Sequence, residues 1–172
     1  MAIILSRFFD LRPINDDFSA KNDNFMSLYT LINFEVGDIT MNREFMSIFK
    51  SAAQIDFEKY SELTDAEFMQ ELEKEGYEFN ERFQVKDCFI HRKVAGNDVL
   101  ISVGSNIANF NGYIELNSTA AALWDEMKEP KTCKELETYL EKTYDLQHGD
   151  AAEDVLEFIK ELWQHEMIDL VG

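Results

Sequence analysis

From Phe83 onward the apolar and polar positions fall into short, regular patterns. Cys88 to Val94 and Val99 to Val103 read as strands, and Ala95-Gly96-Asn97-Asp98 between them has the composition of a hairpin turn. After a looser stretch, Gly104 to Asn111, the run Gly112-Tyr-Ile-Glu-Leu-Asn117 alternates apolar with polar, as a half-buried strand should. Three helices are predicted next. Asn117 caps the first, which carries Ala120, Ala121, Leu123, Trp124 and Met127 and stops before Pro130. Thr132-Cys-Lys-Glu135 is a capping box opening the second, with Leu136, Tyr139, Leu140, Thr143 and Tyr144 at helical spacing. Gly149-Asp150 opens the third, with Asp150 as its cap, and that helix is expected to run to about Met167. Ile168 to Val171 is a short apolar tail or strand. Strands beside three short helices predict an α+β fold: a winged helix-turn-helix, with a three-stranded antiparallel sheet plus three helices.

The N-terminal half has a looser version of this order. Met26 to Phe34 is strand-like, Glu35-Val-Gly-Asp38 is a turn, and Ile39-Thr-Met-Asn42 parallels Ile114-Glu-Leu-Asn117 as a strand ending in a helix cap. A helix with Phe45, Ile48 and Phe49 follows, then a helical piece at Phe57 to Leu63. Thr64-Asp-Ala-Glu67 is a second capping box, for a helix through Phe68, Met69 and Leu72 that Gly76 ends, and Tyr77-Glu-Phe79 reads as a closing strand. Two readings stand side by side: a degenerate second copy of the winged helix, or an unrelated α+β extension. The polar Asn80-Glu81-Arg82 marks the boundary, so the expected domains are 1–84 and 85–172.

The chain has 172 residues with 45% apolar types, enough for a real core and too many for disorder. Its formal net charge is −18. Residues 1–84 hold 8 Lys and Arg against 17 Asp and Glu, a net −9, so the remainder also carries −9. Acidity spread this evenly argues against nucleic acid, whose phosphates are bound by Lys and Arg, and against anionic membrane surfaces. The start, Met-Ala-Ile-Ile-Leu-Ser-Arg, lacks a signal-peptide pattern, and no run of apolar residues is long enough to span a bilayer. Cys88 and Cys133 are expected to be free thiols, which points to the cytoplasm.

The run Phe89-Ile-His-Arg92-Lys-Val-Ala-Gly96, Val99-Leu-Ile-Ser-Val-Gly104 and Phe110-Asn-Gly-Tyr-Ile-Glu-Leu-Asn117-Ser-Thr-Ala-Ala121-Ala-Leu-Trp124 resembles the PqqD-like family. Tyr144, Ala151-Ala-Glu-Asp-Val155, Phe158, Leu162 and Met167-Ile168 continue the likeness, which covers about half the chain. The resemblance implies a small winged-helix peptide chaperone, or RiPP recognition element. Such proteins hold the leader of a ribosomally made precursor peptide and present it to a modifying enzyme, often a radical SAM enzyme. It further implies that the leader adds as a strand to the sheet edge and packs on the last helix. The beginning of the N-terminal half is similar to segments at the start of some radical SAM peptide maturases.

The residues fit this expectation. Strand addition needs an edge with free backbone groups and pockets for alternate side chains. Tyr113, Ile114, Glu115 and Leu116 supply one without proline. On the last helix the apolar arc spans about 180°, wider than the roughly 100° a single core requires, with Glu166 as its one polar intrusion. Phe158, Leu162 and Val155 are assigned to the core, leaving Ala152, Leu156, Ile159 and Trp163 as a groove wall. The alternative is that this whole face is buried against the first module or a deeper core. Two or three anchors at ~1.5–3 kcal/mol each, less the ordering of the peptide, predict affinity on the order of micromolar.

Rival functions draw less support. For DNA, Lys131, Lys134 and Lys142 around the second helix sit among Glu129, Glu135, Glu137 and Glu141, and the third helix offers only Lys160. For catalysis, His91, His148 and His165 are scattered and pair with no cysteine at metal-ligand spacing. No catalytic residue, metal site or cofactor is expected. A scaffold or dimerisation role without a leader ligand remains a separate reading, since an exposed edge strand leaves a homodimer open. In one version Met26 to Asn33 inserts into the groove of the C-terminal half.

Overall fold

The computed structural model describes residues 9–13, 42–108, 112–146 and 148–172. Its elements, in order, are β1 (Phe9–Pro13), α1 (Arg43–Met46), 3-10 turns at Lys50–Gln54 and Phe57–Tyr60, α2 (Asp65–Lys74), β2 (Arg82–Val85), β3 (Phe89–Val94), β4 (Asn97–Ser102), a 3-10 turn at Gly104–Ala108, β5 (Gly112–Leu116), α3 (Ser118–Glu126), α4 (Cys133–Tyr144), α5 (His148–Gln164) and β6 (Ile168–Val171). The fold is mixed α and β with an antiparallel sheet.

Two compact units form, cut between Gln84 and Val85 and between Lys128 and Glu129. The first holds the sheet β1-β5-β4-β3 and α3. The second holds α1, α2, α4, α5 and a two-stranded β2-β6 ribbon. These units run across the expected halves 1–84 and 85–172. The cut at 84 recurs, but α1 and α2 share a core with α4 and α5, so each unit draws on both halves of the chain.

In the first unit β3 and β4 make a tight hairpin, pairing Val94 with Asn97. Ala95 and Gly96 are its two turn residues, with φ of 51° and 92°. Positive φ at both central positions matches the twist of a two-residue hairpin, although Ala is a poor occupant of that region. The strand β4 therefore starts at Asn97, two residues before the sequence pattern indicated. α3 packs on this sheet, with Leu100, Ile114, Leu123 and Trp124 fully buried. Phe89 meets Trp124 edge-on, ring centroids 6.4 Å apart.

In the second unit Phe49 is the aromatic hub. It makes edge contacts with Phe45 at 5.8 Å, Phe79 at 5.5 Å and Phe83 at 5.9 Å. α5 packs against both α4 and α2. Lys160 on α5 donates to Asp65 Oδ2 at 2.8 Å, and Asp65 Oδ1 accepts the Asn42 backbone N–H at 2.6 Å. One carboxylate thus ties the start of α2 to α5 and to the cap of α1.

The helix ends follow local chemistry. Both capping boxes form: Thr64 with Glu67, and Thr132 with Glu135. Asn117 accepts the Ala120 N–H at 2.8 Å. At the far end of α2, Gly76 takes φ 92°, and the Tyr77 N–H returns to the Leu72 carbonyl at 3.0 Å. Glu166 plays the same part after α5 at φ 54°, with the Met167 N–H donating to the Leu162 carbonyl at 2.8 Å. Glu166 therefore lies beyond the helix and does not interrupt its apolar arc. α5 begins at His148, which places Asp150 inside the first turn and not at the cap. Tyr77 to Phe79 forms no strand; the strand comes later, at Arg82. The strand expected at 26–34, the turn at 35–38, and residues 39–41 lie outside the described residues.

Candidate functional site

The β5 strand behaves as its alternation predicted. Gly112, Ile114 and Leu116 are buried, while Tyr113 and Glu115 are partly accessible. One of its two neighbours was not foreseen. One side of β5 pairs with β4. The other side, expected to be a free edge, pairs antiparallel with β1: Phe9 with Leu116, Asp10 with Glu115, Leu11 with Ile114, Arg12 with Tyr113 and Pro13 with Gly112. Every residue of β5 has a partner in β1, so Tyr113 to Leu116 form an interior strand. The alternation in Phe9-Asp-Leu-Arg was the one available signal, and it is too short to distinguish a strand from a loop by sequence. The inserted strand proposed at Met26 to Asn33 lies outside the described residues; 9–13 occupies that edge.

The two edges of this sheet are protected differently. β3 ends the sheet on the far side and presents exposed Arg92, Lys93 and Val94. Charged residues on an edge discourage a further strand. β5 has no such guard and is covered by backbone pairing. β1 becomes the outermost strand, and it ends in Pro13, a residue that edge strands tolerate.

On α5 the expected groove wall is closed. Ala152, Leu156 and Ile159 are buried, Ile159 completely. Trp163 is only partly covered, and its ring lies 6.0 Å from that of Phe45 in α1. The face left over after α4 is served is covered within the same unit by the N-terminal helices. A 180° apolar arc serves two packed neighbours here, so its width did not signal a vacant groove. Lys160, the one cation of this helix, is committed to Asp65.

His91 Nδ1 lies 3.0 Å from both carboxylate oxygens of Asp125, and its Nε2 lies 3.0 Å from Asp98 Oδ1. Both ring nitrogens are engaged, leaving neither to act on a ligand. Burial pulls the Asp125 carboxyl upward, but hydrogen bonds from Lys128 and His91 outweigh it and leave the group below its usual range. Cys88 and Cys133 are free thiols. Burial, then the nearby Glu137 charge, pushes the Cys133 thiol far up, which makes it an apolar filler and not a nucleophile. His165 is pushed down to about 4 by burial, and its Nδ1 has no hydrogen-bond partner among the described residues. No described group of three or more His, Cys, Asp or Glu is placed to hold a metal ion. No described helix is long and apolar enough to cross a membrane.

Comparison with known proteins bears on the segment from β4 to the first residue of β6. Residues 98–168 match the PqqD family, described as Coenzyme PQQ synthesis protein D. The PqqD match takes in β5, α3, α4 and α5, and so includes all eight residues expected to form the site. PqqD proteins are non-catalytic, peptide-binding partners of modifying enzymes in the biosynthesis of ribosomally made peptides. The PqqD match leaves out β1, α1 and α2, which cover β5 and α5 in this chain. No curated protein and no solved structure gives a significant match.

Proposed function

We propose that this chain binds the leader segment of a ribosomally synthesised precursor peptide by strand addition and presents it to a separate modifying enzyme, of the radical SAM class. The binding strand is β5, Tyr113 to Leu116, within a PqqD-like winged-helix module. The observation that carries this reading is that the outer side of β5, inside the PqqD match, already accepts an extended segment in antiparallel register. Backbone hydrogen bonds supply affinity in this mode, and alternate side chains supply specificity. Ala152, Leu156 and Ile159 act in this reading as the core of the helical unit. Of the four α5 residues expected to form the site, Trp163 alone is partly accessible.

The test is calorimetric titration of the full chain with leader peptides encoded beside its gene. Each leader is made in three forms: unmodified, and N-methylated at one or the other of the two alternating sets of backbone amides. Saturable binding at about micromolar affinity, lost on N-methylation of one amide set, is the expected result. Binding indifferent to N-methylation of either set rules out strand addition. Absence of binding to any leader removes the function itself.

A further inference from the structure

The edge that the leader reading requires is fully paired by β1, five residues against five. A ligand strand and β1 cannot use the same backbone groups of β5 at once. From this exclusion we infer that β1 is a tethered stand-in for the leader: it closes the β5 edge in the resting chain, and a ligand binds by displacing it. The inference rests on the leader-binding reading and adds its regulation and ligand class.

The register describes the ligand that fits. Phe9 and Leu11 stand opposite Leu116 and Ile114, the two buried apolar positions of β5. Residues two apart on a strand share a face, so a competing segment needs apolar residues at alternate positions, run antiparallel to β5. Arg12 stands opposite Tyr113, and Asp10 opposite Glu115. The last is an acidic residue across from an acidic residue, a pairing that weakens a ladder. A leader with a neutral or basic residue there competes on better terms. Pro13 supplies no N–H to the ladder. β1 is thus matched to the edge in pattern but carries a like-charge pair at one of its five rungs, as suits an occupant that must leave. It is joined to the rest of the described chain through residues 14–41. A covalently attached competitor acts at an effective concentration on the order of millimolar when its linker can reach.

Displacement is read by comparing the full chain with a variant carrying Asp10→Pro and Leu11→Pro. Neighbouring amides of a strand point to opposite sides, so one of the two prolines removes a bond to β5 whichever way β1 faces. The probes are the encoded leader and a synthetic peptide of residues 7–15, Arg-Phe-Phe-Asp-Leu-Arg-Pro-Ile-Asn. We expect the variant to bind the leader at least 10-fold more tightly than the intact chain, as for an edge more than about 90% closed. The 7–15 peptide should bind the variant and compete with the leader. In the intact chain, amide hydrogen exchange reads the same event without a mutation: added leader should speed exchange at 9–13 while 112–116 stays protected. Equal leader affinity for intact and variant chains, with 9–13 still protected, overturns the inference and leaves leader binding standing. Binding of the 7–15 peptide but of no leader makes β1 an ordinary edge strand and defeats both ideas. Binding of neither probe to either chain removes the β5 edge as a peptide site altogether.

Discussion

Truncating Ile159 to alanine separates a core residue from a groove wall. Its side chain is fully buried on the face of α5, and α5 packs against both α2 and α4. Removing the ethyl and γ-methyl groups forfeits about 2.4 kcal/mol at ~0.8 kcal/mol per carbon. The cavity left behind raises the cost to about 3–4 kcal/mol, within the usual range for such core truncations. A domain of this size is stable by roughly 5–15 kcal/mol, so the variant folds but with a large part of its stability gone. With a urea dependence of ~2 kcal/mol per molar, the unfolding midpoint should fall by about 1.5–2 M. Urea titration followed by tryptophan fluorescence and far-ultraviolet circular dichroism measures this, with Trp163 reporting from the same helix. A midpoint unchanged within about 0.3 M would refute the packing argument and reopen the face as a groove. The charged variant Ile159→Glu buries a carboxylate with no partner, a cost of several kcal/mol, and should unfold the helical unit. Loss of leader binding in that variant therefore reports collapse, not the position of a binding groove.

Other consequences concern single groups. His165 titrates at about 4 in the folded chain against 6.5 as its ordinary value. The unfolded chain takes up its proton first, so stability falls as pH drops from about 6.5 toward 4, by roughly 2 kcal/mol between pH 7 and pH 5. A His165→Asn variant should lack that component of the pH dependence in paired denaturation curves; identical slopes would place the ring in water. Ala95 holds φ 51° at the β3–β4 turn. Ala95→Asn creates the Asn-Gly pair such turns prefer and should stabilise by about 0.5–1 kcal/mol, read as a higher melting temperature. Thr132→Ala removes the acceptor of the Glu135 N–H at 3.2 Å and should cost about 1 kcal/mol; a thermal midpoint unmoved by the change would show the α4 cap to be dispensable.

Features decided within a few residues were legible in the sequence. The Thr64 and Thr132 boxes, the Asn117 cap, the Gly76 helix end and the in-out alternation of Gly112 to Leu116 all stand where the pattern put them. Each depends on a side chain and a backbone group at most four or five positions apart, so composition and spacing suffice. The PqqD likeness was legible for a related reason, since it is carried by one continuous run of residues. Which surfaces remain open was not. The apolar arc of α5 states how much area must be buried but not by what, and α1 and α2 supplied the cover from about a hundred residues upstream. The edge of β5 states that a strand fits there, and 9–13 filled it from the same distance. A strand edge or apolar face accepts any complementary segment the chain can bring to it, and only the tertiary structure selects which one arrives.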